Sequence, residues 1–168
     1  MSLLPTESPP FTTEEFRAAL GQFTTGVTIV TARDAQGQLV GLTANSFNSV
    51  SLSPPLVLWS LGCQSMTLPG FRSATHYAIN VLAADQRQLA ERFARRGIDR
   101  FEGTVWRPGL TGAPVIEGAA AVFECSQYGQ HEAGDHIVFV GQVAHCRRRV
   151  GVAPLVFHGG RFFSELVD

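Results

Sequence analysis

From Gly41 to Leu58 the chain runs without one charged side chain, and this segment limits the fold more than any other. Seven of its residues carry a hydroxyl or amide: Thr43, Asn45, Ser46, Asn48, Ser49, Ser51 and Ser53. They stand among small and apolar neighbours and alternate in part as a strand does. The segment leads into Leu56–Leu61, an apolar run of strand length that reads as buried. Neutral donors beside a core strand suit a polar, largely uncharged ring system with a phosphate tail. A polar loop between strands is the plainer reading of the same letters, because Ser, Thr and Asn are ordinary turn residues.

The remaining signals extend the sheet. Residues 1–11, with Pro5, Pro9 and Pro10, read as a loose arm, and residues 12–168 as one domain. Thr12 and Glu15 have capping-box spacing, and Phe16, Leu20 and Phe23 recur at helical intervals, so a helix is expected over about 13–23. Val27–Thr31 alternates as a half-buried strand, and Asp34-Ala35-Gln36-Gly37 turns it back into a strand at about 38–44. Tyr77–Leu82 is a further strand. Asp85-x-x-Gln88 is expected to cap a second helix, and residues 97–114 to form a loop rich in Gly and Pro. Strands follow at about 119–128 and 136–146 around the turn Glu132–Asp135, and a last one near 154–157 leads to Arg161-Phe162-Phe163. Many short strands with two helices predict a closed or nearly closed antiparallel barrel.

Composition removes several chemistries. With 13 basic and 14 acidic residues the net charge is -1, which gives no electrostatic footprint for nucleic acid or membrane. Arg147-Arg148-Arg149 is a short solvated run. All 13 cations are arginine, which excludes Schiff-base lysine chemistry and a Walker A lysine. Three separated cysteines, Cys63, Cys125 and Cys146, form neither a zinc site nor a disulfide framework, and fit a reducing cytosol. Cys63 reads as a small core residue. The N-terminus has no cationic start and no apolar core of a signal sequence, so a soluble, cytoplasmic protein is expected. No G-x-S-x-G elbow and no G-x-G-x-x-G turn is present.

Two short motifs remain. Ser65-Met66-Thr67, after the buried run, offers hydroxyls and backbone N–H groups to an anion, or simply caps a short helix that Pro69-Gly70 ends early. His131-Glu132-Ala133-Gly134-Asp135-His136 lacks the H-E-x-x-H spacing and reads as a turn, not a metal site. His136 opens the next strand, and the preceding carboxylate is placed to orient its ring.

Taken in order, Phe23-x-x-Gly26-Val27-Thr28, Gly41 to Phe47, Ser49 to Leu52, Pro55 to Leu58, Ala78-x-Asn80-Val81-Leu82, Arg92-Phe93-Ala94 and Gly134-Asp135-His136 resemble the short-chain flavin reductases. These are the small reductase components of two-component flavin-dependent monooxygenases, and the resemblance runs from about Phe16 to Leu166. It implies a mainly β, antiparallel split β-barrel with two or three flanking helices, usually a homodimer. It implies hydride transfer from NADH or NADPH to FMN or FAD, and release of reduced flavin to a partner monooxygenase. By position, Thr43, Ala44, Asn45, Ser46 and Ser49 would hold the flavin ring edge and ribityl chain. Ser60 and Leu61 would offer backbone groups, Ser65 and Thr67 would face the phosphate, and Phe93 and Ala94 would flank the tail. His136 would lie where nicotinamide stacks, in the catalytic position. Phe162 stands where many relatives carry tyrosine, and keeps a ring without the hydroxyl. No obvious arginine fork for a 2′-phosphate is present, which favours NADH. A non-catalytic flavin-binding or electron-transfer module, or a ferric reductase on the same fold, are the alternative readings.

Overall fold

The computed structural model describes residues 9–164, so the first eight residues of the expected arm lie outside the described residues. Three helices, α1 (Thr13–Gly21), α2 (Leu68–Ser73) and α3 (Arg87–Ala94), accompany twelve strands among the described residues. The strands are β1 (Thr25–Gly26), β2 (Thr28–Arg33), β3 (Leu39–Ala44), β4 (Asn48–Leu52), β5 (Pro55–Gly62) and β6 (His76–Val81). They continue with β7 (Trp106–Pro108), β8 (Pro114–Ile116), β9 (Ala121–Ala133), β10 (His136–Arg148), β11 (Val156–His158) and β12 (Arg161–Phe163).

Seven strands form one antiparallel sheet in the order β3-β2-β6-β9-β10-β5-β4. Its two outermost strands, β3 and β4, are consecutive in sequence and joined by Asn45, Ser46 and Phe47 alone. Three residues span little more than 10 Å, so the sheet must curl until its edges nearly meet. That is a split barrel: strongly curled, without a ladder closing β3 on β4. The uncharged segment of the sequence lies at the split.

Inside the curl, Trp59 stacks on Phe139 with centroids 4.6 Å apart, and Phe71 and Tyr77 meet it edge-on at 4.9 and 5.8 Å. All four rings are buried, and each contributes about 1.5–3 kcal/mol by leaving water. Cys125 packs beside them, and burial pushes its thiol up to about 12, so it stays protonated. A second core gathers Val27, Ile29, Leu82, Phe93, Ile116 and Leu155 beneath α3. A three-stranded sheet, β1-β11-β12, carries the chain's C-terminal segment back to β1.

Local chemistry explains most boundaries. Glu15 N–H donates to Thr12 Oγ1 and Thr12 N–H to Glu15 Oε2, completing the capping box of α1. Phe11 packs on Phe16 at 5.6 Å as a hydrophobic staple, so the last residue of the supposed loose arm is tied to the helix. Asp34 Oδ1 accepts from the N–H groups of Gln36 and Gln38, which fixes the expected turn between β2 and β3. The cap of the second helix is displaced: Asp85 makes no cap, and Gln86 Oε1 instead accepts from Ala83 N–H across a 3-10 turn. Residues 97–114 are not all loop, because β7 and the start of β8 form a hairpin there. Alternation was faint in that stretch, since Trp106-Arg107-Pro108 offers just three strand residues. The turn between β9 and β10 is tighter than the sequence reading has it, with Glu132 and Ala133 in the ladder and Gly134 at φ 60.

Candidate functional site

Two clefts open along the same strand. The smaller, about 240 Å³, is lined by Val27, Thr43, Ala44, Asn45, Ala94, Phe157 and Phe162. Its walls are apolar and uncharged, with the amide of Asn45 exposed at the edge. Phe162 reaches it because β12 pairs with β11 and β11 with β1; its ring leans on Phe157 at 5.3 Å. Thr43 Oγ1 donates to Ala90 O at 2.5 Å, pinning β3 to α3 while keeping its lone pairs available.

The larger cleft, about 530 Å³, takes its floor from Leu39–Gly41 of β3. One side is Gly62–Thr67 after β5, and the other is Arg96–Phe101 after α3. Ser65 and Thr67 hydroxyls lie 2.9 Å apart on its wall. Arg100 is half-buried: its Nη1 donates to Gly41 O at 2.6 Å and its Nε to Arg95 O at 2.9 Å. Burial, and then the neighbouring Arg96 charge, hold its pKa below the usual arginine range. Arg92 braces the same segment through Arg100 O and Asp99 O. Gly41 is the hinge of this construction. A Cβ there would stand 2.8 Å from Phe93 Cε1 and 3.1 Å from Phe101 Cζ, so only glycine lets β3 pass under α3.

His136 is fixed at the rim. It faces Gly62 across the β10–β5 ladder, and its Nε2 would lie 3.8 Å from a Cβ at that glycine. Its Nδ1 lies 2.6 Å from Asp135 Oδ1. An ionised carboxylate only accepts, so Nδ1 carries the hydrogen; the ring lines neither cleft itself and lies across the ladder from Gly62, which lines the larger one. Cys63 N–H donates to Asp135 O at 2.8 Å, tying this turn to the chain leaving β5. That exit leaves the Cys63 side chain exposed, so it is not the core residue its letters imply.

The hydrogen bond to His136, and then its charge, hold the Asp135 carboxyl below its usual range. The folded value is depressed, so the tether is fully present above the unfolded carboxylate pKa and is lost as pH falls through the folded one. It therefore holds through neutral pH. Replacing His136 with phenylalanine should return the Asp135 titration toward 3.8, followed by carboxyl carbon NMR. An unmoved titration curve would refute the tether.

The structure sorts the residues named from sequence. Thr43, Ala44, Asn45, Ala94 and Phe162 line the smaller cleft, and Ser65 and Thr67 the larger. Ser46 and Ser60 are engaged with each other: Ser60 N–H donates to Ser46 Oγ at 3.0 Å, and that hydroxyl donates to Ser60 O at 3.1 Å. The Ser60 backbone is thus spoken for, and strand alternation turns the Leu61 backbone to the opposite edge, opposite Ile137 of β10. Ser49 is exposed on β4 and lines neither cleft. Phe93 is fully buried against Phe101, 5.1 Å between centroids, and supports the wall that Ala94 presents. Arg96, Arg100 and Phe157 were not legible as site residues. The run Arg95-Arg96 after α3 was the available signal, but the segment beyond it has no pattern to place it.

Comparison with known proteins gives the family. A family model described as flavin reductase like domain matches residues 20–165. The chain belongs to this family. Among its flavin reductase relatives, the FMN reductase (NADH) SmoA of Agrobacterium fabrum is 52% identical over 147 residues, covering 88% of this chain and 83% of that protein. The reductase component of the flavin-dependent trigonelline monooxygenase of Acinetobacter baylyi is 41% identical over 89% of this chain, which spans about half of it, 48%. The NADH:FAD oxidoreductase SgcE6 of Streptomyces globisporus, solved in complex with NAD and FAD fragments, superposes with a TM-score of 0.86. It is 39% identical, and the match covers 92% of this chain and 93% of that one.

Proposed function

We propose that this protein is an NADH-dependent flavin reductase that reduces FMN or FAD and supplies reduced flavin to a flavin-dependent monooxygenase. The observation that carries the reading is the pair of clefts along β3: one apolar and neutral, one bearing hydroxyls and guanidinium groups. A flavin has the same division between ring and phosphate. The flavin, a substrate here, takes up hydride at its ring from a dihydronicotinamide stacked on it. The chain's own task is to bind, orient and exclude water.

Thr43, Ala44 and Asn45 would meet the ring edge, Phe162 would cover the apolar side, and Ser65, Thr67 and Arg100 would hold the phosphate. His136, tethered by Asp135, would place Nε2 against the nicotinamide carboxamide. NADPH is the less favoured donor, since the cations that line the larger cleft already serve the flavin phosphate in this reading. Purified protein at catalytic concentration, with NADH and excess FMN, should turn over well above the free-flavin background. No turnover above background leaves a flavin-binding module, and turnover dependent on ferric ion leaves a ferric reductase.

The same reading includes a homodimer. Phe16, Leu20 and Phe23 on or just after α1 are 51, 56 and 73% exposed, and α1 buries no residue in its own subunit. An apolar stripe of that kind is the mark of a covered surface. A sedimenting species of monomer mass would discard it. No helix among the described residues is long and apolar enough to cross a membrane, which is compatible with a cytoplasmic site of action.

A further inference from the structure

The hairpin β11–β12 has a fixed base and a lightly held tip. At the base Leu155 is buried and donates its N–H to Leu82 O at 2.9 Å. Beyond it the hairpin is three residues on each side of a turn at Gly159-Gly160, whose φ angles of 55 and 78 favour glycine. Its ladder to the rest of the fold is β1, two residues long, through the pairs Thr25↔Phe157 and Gly26↔Val156. Residues paired across an antiparallel ladder put their side chains on one face, so Thr25, Phe157 and Phe162 form a row. Phe157 and Phe162 in that row are a wall of the smaller cleft. Thr25 Oγ1, in the same row, is buried without a hydrogen-bond partner among the described residues. An unpaired buried hydroxyl works against this closed pose, because water satisfies it once the hairpin swings out. Two bonds at the tip oppose that swing. Gly159 N–H donates to Gly21 O at 2.9 Å, and Thr24 Oγ1 lies 2.9 Å from His158 Nδ1. The second is the one that side chains decide. A hydroxyl both donates and accepts, so it pairs with Nδ1 whether the imidazole is neutral or charged.

We propose that Thr24 and His158 are the clasp of an aromatic flap, positioning residues that hold Phe157 and Phe162 over the smaller cleft and so set how long a flavin stays bound. The inference rests on the flavin reductase reading and deepens it: a protein that hands on reduced flavin must let it go, and opening of the flap is the step that releases it. Neither residue of the clasp lines a cleft, so each acts through the two rings. The flap covers the flavin ring and not its tail, so riboflavin, FMN and FAD feel the clasp alike.

The test uses the intact protein, with dissociation of riboflavin, FMN and FAD timed by flavin fluorescence after dilution, and hydride transfer read in single turnovers at saturating NADH. Thr24→Val and His158→Ala should each speed dissociation of all three flavins about fivefold, the size of one net hydrogen bond, with hydride transfer within about twofold of wild type. The double variant should dissociate no faster than either single one, because the two side chains make one bond. Thr24→Ser and His158→Asn keep a polar atom at the bond and should restore the wild-type rate. Unchanged dissociation in the single variants, additive effects in the double one, or an effect on one flavin alone overturns the clasp. So does a melting point that falls in the single variants while dissociation stays as in wild type, which leaves the pair a structural role. Absence of NADH turnover in wild-type protein that still binds flavin sinks the reductase reading instead, and the dissociation series still judges the clasp. Wild-type protein that binds no flavin overturns both.

Discussion

His136→Ala should lower the rate of flavin reduction by NADH, at saturating flavin, by ten- to a hundredfold, equal to about 1.4–3 kcal/mol of barrier. The size follows from what hydride transfer asks of a protein. No strong acid or nucleophile is required, so losing one positioning group is costly but not fatal. The imidazole is held at both ends of its reach. Asp135 fixes Nδ1, and a Cβ at Gly62 would come to van der Waals contact with Nε2 at 3.8 Å, so the ring lies close against the end of β5. Asp135→Asn keeps a hydrogen-bonding partner but removes the charge, so it should cost less than His136→Ala and act through the same step. Stopped-flow reduction separates this step from flavin release. Unchanged reduction kinetics in His136→Ala would remove the residue from the mechanism.

Asn80→Ala destabilises the fold by about 3 kcal/mol, because it breaks a fully buried polar junction and leaves a cavity. Asn80 Nδ2 donates to Ile29 O at 2.9 Å and to Thr31 Oγ1 at 3.1 Å, while its Oδ1 accepts from Ile116 N–H at 2.9 Å. One amide therefore joins β2, β6 and β8. After truncation the Ile116 N–H is left in a core with no water to satisfy it. For a chain of 168 residues, about 2–4 °C per kcal/mol converts this to a melting point roughly 6–12 °C lower. Calorimetry reads it directly, and a loss under about 1 kcal/mol would show that water or a shifted strand replaces the amide. Asn80 belongs to the stretch Ala78 to Leu82 that carries the family resemblance, yet it lines neither cleft and its hydrogen bonds join strands of the core.

Strand signals were legible both where one face is buried, as in β5, and where both are, as in β2 and β6, so β2 is more deeply buried than its half-buried reading. β2, β5, β6 and the β9–β10 hairpin were all written in alternation or in short apolar runs, because period-two patterning is local. The same is true of the α1 cap and the turn at Asp34, where a side chain bonds backbone two to four residues away. The β7–β8 hairpin escaped, since it is held by packing under Asn80 and α3 and not by its own pattern. Half the site was legible for a related reason. Thr43 and Asn45 announce themselves by being polar without charge, and His136 by sitting in a tight turn after an acid.

By itself the sequence determined that this chain builds an antiparallel sheet with a neutral polar seam, no lysine chemistry and a flavin reductase resemblance. Tertiary structure alone decided which members of that seam face a ligand. Ser46 and Ser60 satisfy each other, Phe93 turns inward, and Arg96, Arg100 and Phe157 arrive from distant segments. The physical reason is that a hydroxyl or a ring serves core or cleft equally well until the chain's curl decides which side of it is water.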